Sequence, residues 1–193
     1  MSNWTRDHKI GLLGAFLAVV FGIVSLFTPE IRKFFGFDTN LLSYDNTAQG
    51  IKIKYPDNWD KQEELNVITK EVVQFISPKE SEADFQERLI VEVEKTDNQT
   101  LDEYTKLSKQ EIPKLDKNAK IIQEGQSTLA GKNGYRVVYT TKKGNQELKK
   151  LEVWTLKNDK AYFVTYVSEA GKYELFLPAV EKMIKSLEVQ DTK

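Results

Sequence analysis

Glu92 and Glu94 alternate along Leu89-Ile90-Val91-Glu92-Val93-Glu94, so on an extended chain their carboxyl groups share one face. That spacing suits an acid–base pair or two ligands to a hard cation. No third ligand stands at a matching interval, and paired glutamates on a half-buried strand ordinarily line its solvated face, which is the reading adopted. Nucleophilic chemistry has less to draw on. The 193 residues include no cysteine, and the single histidine is His8, in the N-terminal tail. A catalytic thiol, a disulfide scaffold, a thiolate zinc site and a Ser-His pair inside the domain are thereby excluded. Gly131 and Gly134 lack the strand–glycine–helix context of a phosphate loop and read as turn formers. No cofactor or metal is expected. A net charge of −1 gives no footprint for nucleic acid. Asn98-Gln99-Thr100 matches a glycosylation acceptor.

The run Lys79 to Arg88, KESEADFQER, is a charged loop with one aromatic residue. Lys79, Glu80, Phe85 and Arg88 are its candidate partner contacts, because binding residues concentrate on loops held by a scaffold. Trp59 and Trp154 are assigned to the core or its edge.

The elements that hold these residues follow from periodicity. Ile51, Ile53 and Tyr55 alternate with Lys52 and Lys54, a half-buried strand stopped by Pro56-Asp57-Asn58. Val72 to Ile76 is a shorter apolar strand, and Leu89 to Glu94 another. Four more are expected near 119–129, 134–142, 147–157 and 161–168, joined at Gly131-Lys132-Asn133-Gly134, Lys143-Gly144-Asn145 and Asn158-Asp159. Tyr162, Val164 and Tyr166 on one side, with Phe163 and Val167 on the other, place the last strand between two covered faces. Thr100 and Glu103 form a capping box opening a helix that runs to about 115. A second helix, 172 to 187, carries a stripe from Tyr173 through Phe176, Val180 and Met183 to Leu187, with Pro178 starting its regular part or kinking it. Hairpins without crossovers give an α+β fold, a central antiparallel sheet flanked by helices.

Ahead of this lies Ile10 to Phe27, 18 residues without a charge. As a helix it reaches about 27 Å, close to a bilayer's hydrocarbon core. No small-residue cleavage site follows it, so it is read as one N-terminal transmembrane helix (10–27) behind a short tail (1–9). Gly14, Ala18 and Gly22 fall on one helix face and permit close packing of two copies, a homodimer in the bilayer. Thr28-Pro29-Glu30 is expected to stop the helix. Trp4 on one side, and Phe34 and Phe35 beside Arg32 and Lys33 on the other, suit the headgroup zone. Residues 28–42 are read as a juxtamembrane linker, with 38–48 a short polar linker, and 43–190 as the folded domain. Basic residues nearly balance across the run. The orientation expected is a cytoplasmic N-terminus with the domain outside, in a periplasm or lumen.

Tyr44…Gly50-Ile51-Lys52-Ile53-Lys54-Tyr55-Pro56…Trp59 resembles the opening strand of the PsbP-like family, relatives of the extrinsic lumenal subunit of photosystem II. Leu129-Ala130-Gly131-Lys132-Asn133-Gly134-Tyr135-Arg136-Val137-Val138-Tyr139 is similar to that family's central hairpin, and Glu181-Lys182-Met183-Ile184-Lys185-Ser186-Leu187 to its closing helix. The resemblance covers about residues 43–190. It implies an α/β/α sandwich and a non-catalytic, extracytoplasmic accessory role, in some members photosystem-related. Histidines that some members use for metal contact have no counterpart in this domain. Two functions stand: a membrane-tethered interaction or assembly module with a protein partner, or a small-ligand carrier or sensor with a pocket between sheet and helices. A filled core favours the first and a deep apolar pocket the second.

Overall fold

Three two-residue turns build most of the larger sheet. The computed structural model describes residues 28–36, 38–63, 70–79, 81 and 85–191. Within it β6 (Lys120–Leu129), β7 (Lys132–Lys143), β8 (Gln146–Lys157) and β9 (Lys160–Glu169) form a meander. Leu129 pairs with Lys132 around Ala130 and Gly131, and Lys157 with Lys160 around Asn158 and Asp159. Both central residues of each turn have positive φ, 51° and 70°, then 51° and 55°, the geometry whose twist matches a hairpin's. The first turn, Leu129 to Lys132, thus lies two residues earlier than the expected Gly131–Gly134 joint, and Lys132-Asn133-Gly134 belong to β7. Gly134 is needed there for a different reason: a Cβ would stand 2.3 Å from the Trp154 carbonyl oxygen.

Before the meander come β1 (Leu41–Asn46), β2 (Ile51–Pro56), β3 (Asp60–Gln62), β4 (Glu71–Ile76), β5 (Arg88–Lys95) and α2 (Leu101–Leu115), and after it α3 (Tyr173–Lys185) and β10 (Glu188–Val189). A six-residue α1 (Pro29–Phe34) precedes them all. Two antiparallel sheets result, ordered β1-β2-β10 and β3-β4-β5-β9-β8-β7-β6. The α+β class and both long helices agree with the sequence pattern. The capping box is formed, with the Glu103 amide donating to Thr100 Oγ1 at 3.3 Å and the Thr100 amide to Glu103 Oε2 at 2.9 Å. The threonine of the glycosylation-like triplet therefore has a structural job. Pro178 sits inside α3.

One face of the large sheet packs on the small sheet and α3. Phe75, Leu89, Val91, Leu151, Val153, Val164 and Tyr166 meet Ile51, Ile53, Phe176, Val180 and Met183 there. The other face is covered by α2, through Tyr104 and Ile112 on Val137, Tyr139, Trp154 and Ala161. β9 lies between the two layers as its apolar residues on both faces demand.

The stretch expected to be a linker departs most from the pattern. Thr28 caps α1, its Oγ1 accepting from the Ile31 amide, and Pro29 occupies the first turn, where a missing N–H is harmless. Thr-Pro-Glu starts a helix here. Phe35 is 7% exposed, its ring 4.9 Å from that of Phe176, with Phe34 at 6.0 Å. These two rings, expected in the headgroup zone, enter the protein core because α3 offers an aromatic partner. Gly36 has φ +75°, and a Cβ there would sit 2.9 Å from that of Ala179. β1 occupies most of 38–48, its Tyr44 buried opposite Ile53. Among the described residues no helix is long and apolar enough to cross a membrane; residues 10–27, with Gly14, Ala18 and Gly22, and Trp4 before them, lie outside those residues.

Candidate functional site: the groove beside helix α2

Tyr135, Trp154 and Phe163 sit on adjacent strands in register, so their side chains line up across the α2 face of the sheet. Trp154 and Phe163 stack with an interplanar angle of 3° and centroids 5.1 Å apart, and Tyr135 follows at 5.6 Å. The indole is fully buried and its Nε1 donates to Thr105 Oγ1 at 2.9 Å, which fixes α2 along the row. Because α2 covers the middle of this face, the β6–β7 hairpin projects beyond it. The step between them is an open groove of about 740 Å³. Its walls are Leu101, Thr105 and Lys109 from α2, and Gln126, Asn133 and Tyr135 from the hairpin. Lys109 closes one side, 2.7 Å from Glu124 and 5.7 Å over the Tyr135 ring. The outer rim is β6, the last strand of the sheet and exposed from Lys120 to Glu124. Among the described residues no strand pairs with its outer side, which leaves a strand edge there.

Glu92 and Glu94 do not line a solvated face, as their alternation suggested; both are half-buried on the side α2 covers. Glu94 accepts from the Tyr104 hydroxyl of α2 and from Lys70. Glu152 accepts from the Tyr139 hydroxyl at 2.6 Å, and burial raises its carboxyl above the usual range. Glu92, whose strand partner is Glu71, is pushed up to about 7, first by burial and then by the negative charges of Glu71, Glu152 and Glu94. Glu94 is committed to Lys70 and Tyr104, the second bond holding α2 on the sheet, and Glu152 is committed to Tyr139 on the neighbouring strand. Among the described residues no group of three or more acidic, histidine or cysteine side chains converges to hold a metal ion.

The charged loop is anchored at its neck by a residue that sequence reasoning missed. Glu87 is 1% exposed, and its carboxylate accepts from Ser77 Oγ and Ser168 Oγ, both at 3.2 Å. Burial raises its pKa, with the two serine bonds opposing. Nothing in KESEADFQER distinguishes this glutamate from its neighbours; the only sign is its place beside a strand. Lys79 is exposed, Phe85 is half-buried with the Arg88 guanidinium 5.6 Å from its ring, and Glu80 lies outside the described residues. The loop therefore brings together Phe85 and Arg88. Trp59, 3% exposed, joins Trp154 in the core.

Several solved structures share this fold. Cyanobacterial PsbP (CyanoP) of Synechocystis sp. PCC 6803 is 16% identical with a TM-score of 0.62, over 78% of this chain and 93% of that one. LpqN of Mycobacterium tuberculosis, described as involved in cell envelope biogenesis, is 10% identical with a TM-score of 0.61, over 80% and 92%. PA94 of Pseudomonas aeruginosa, a protein of unknown function, is 13% identical with a TM-score of 0.57, over 79% and 99%. No curated protein matches the chain. The PsbP family model matches residues 39–189, from just before β1 to the last residue of β10. The strand and hairpin residues that carried the resemblance thus fall within one matched unit, and the chain belongs to the PsbP family.

Proposed function

We propose that this chain is a non-catalytic accessory module, tethered to a membrane by residues 10–27, that docks a protein partner on the extracytoplasmic side. The observation that carries the reading is the pairing of a filled core with an open groove. Both indoles of the domain are buried in packed clusters, and the cavity beside α2 is a trough bordered by polar side chains and a free strand edge. An extended polypeptide satisfies such an edge, since its own backbone completes the ladder while alternate side chains enter the trough. The envelope role named for LpqN suits a module on the outer side of a membrane.

A photocrosslinking residue at Gln126 in native membranes tests the docking. A discrete protein adduct at Gln126, absent when the residue is placed in the β7–β8 turn, is the expected result. Lipid adducts alone overturn it. The small-ligand reading keeps one observation in its favour, because about 740 Å³ matches sites that hold small molecules. A small-molecule adduct at Gln126 would select it. Sidedness is read from Asn145→Cys, exposed between β7 and β8 in a chain without native thiols. Asn98 is a poorer choice, since its φ of +55° disfavours other residues. Labelling of intact cells by an impermeant maleimide is expected; protection until lysis reverses the orientation.

A further inference from the structure

We infer that the domain is seated on the bilayer by a fixed face, with Ile31 of α1 and Leu41 of β1 in the headgroup zone, and does not swing on a leash. The inference rests on the membrane tethering proposed above. Only Thr28 separates the apolar run ending at Phe27 from α1. One extended residue supplies about 3.5 Å of reach. All further slack would have to come from α1, and α1 is fastened to the domain from Arg32 onward. Arg32 grips Asp38 through Nε at 2.5 Å and Nη2 at 3.0 Å. Asn58 Nδ2 donates to the Lys33 and Phe34 carbonyls at 2.9 and 3.2 Å, closing the helix's C-terminal end. Phe35 is locked against Phe176, and Gly36 fits against Ala179 with no room for a methyl group.

Large apolar side chains stand exposed among the polar residues beside this bracket. Ile31 is 40% exposed and Leu41 44%. Leu41 lies opposite Pro56, which borders Gly36, so strand and helix end meet at one end of the domain. Lys33, exposed on the same short helix, suits lipid phosphates. A bilayer covers these side chains without any further partner, because the chain itself leaves the domain there. Leu115, 84% exposed, belongs to α2 on the opposite layer and is held away from the membrane.

The test uses the full-length chain in phosphatidylcholine vesicles, with a single cysteine carrying an environment-sensitive fluorophore at position 31, 33, 41 or 115. The measured quantity is quenching by a headgroup spin-labelled lipid. Emission from 31, 33 and 41 is expected to shift blue and be quenched, with no change at 115. All four substitutions are at exposed positions, and circular dichroism of each confirms the fold; positions 31 and 33 report on one helix, so the loss of either leaves a reading. Vesicle flotation after carbonate washing accompanies each sample. Chain that floats with position 41 no more quenched than 115 overturns the seating and leaves the tethering standing. Chain that does not float overturns the tethering, and the seating falls with it.

Discussion

Replacing Glu92 by glutamine reads the energetic state of the α2 layer directly. The carboxyl of Glu92 is pushed up to about 7 from an ordinary 4.5. Between those values the folded chain holds a proton that the unfolded chain has released, so stability must fall as pH rises through that window. The penalty is complete above pH 7 and absent below about 4.5. At ~1.4 kcal/mol per tenfold change in proton affinity, and allowing for the solvent Glu92 still meets, it amounts to about 2–3 kcal/mol. Glu71, Glu94 and Glu152 face the same carboxyl, and Lys70 offsets them in part. Glu152 and Glu87 are raised as well and add slope of the same sign. The exposed carboxylates lowered by their partners, Asp38 and Asp116 among them, act in the opposite sense and only at lower pH. Urea unfolding of the full-length chain in a mild detergent, followed by tryptophan fluorescence, measures the balance. Glu92→Gln is expected to match the parent at pH 4 and exceed it by about 2–3 kcal/mol at pH 8, or roughly 5–10 °C in Tm. Equal stabilities at pH 8, or a parent whose stability rises from pH 5 to 8, would refute the reasoning.

Three further outcomes follow from the packing. Glu87→Ala strands the buried hydroxyl of Ser77 and leaves Ser168 Oγ only the Glu169 carbonyl; a loss of about 1–3 kcal/mol and faster proteolytic nicking between 79 and 86 are expected. Gly36→Ala forces a side chain into positive φ and against Ala179, and thermal unfolding should register about 1–3 kcal/mol; an unchanged Tm would show that α1 is not clamped to α3. Thr100→Ala removes the cap of α2, worth about 1 kcal/mol, while Thr100→Ser should retain most of it.

Much of the fold was legible because its signals are local. Alternation in β2, β5 and β9, the capping box at Thr100 and the stripe of α3 each state an element within about ten residues. What escaped was set by distant partners. Leu41 to Asn46 reads as polar linker until Ile51 to Pro56 pairs with it, and Val189 becomes a strand only by meeting Ile51. Phe34 and Phe35 beside two basic residues carry the same local pattern whether they meet lipid or Phe176. The site was harder still. Glu92 looks solvated on β5 alone, and its surroundings are set by a helix that starts nine residues on and by Glu152 two strands away. The groove has no motif, since it is the step left where α2 stops short of the sheet edge.

The two layers around the sheet are built for different work. α3 buries six residues, and its layer also holds the aromatic bracket of α1, so this side of the domain is apolar and continuous with the segment that leads to residue 27. α2 buries only Tyr104 and Ile112, with Leu101 packed at their edge, and is held besides by polar contacts, Thr105 to Trp154 and Tyr104 to Glu94. Elements held by few buried apolar groups open at lower free energy than the core. The groove has one wall on that weaker element and one on a free strand edge. A partner strand that filled it would strengthen both walls, and ionised Glu92 beneath α2 would weaken one of them. Rigidity on the side of α1 and compliance on the side of the groove thus come from the same division of buried area, six residues against two, on opposite faces of one sheet.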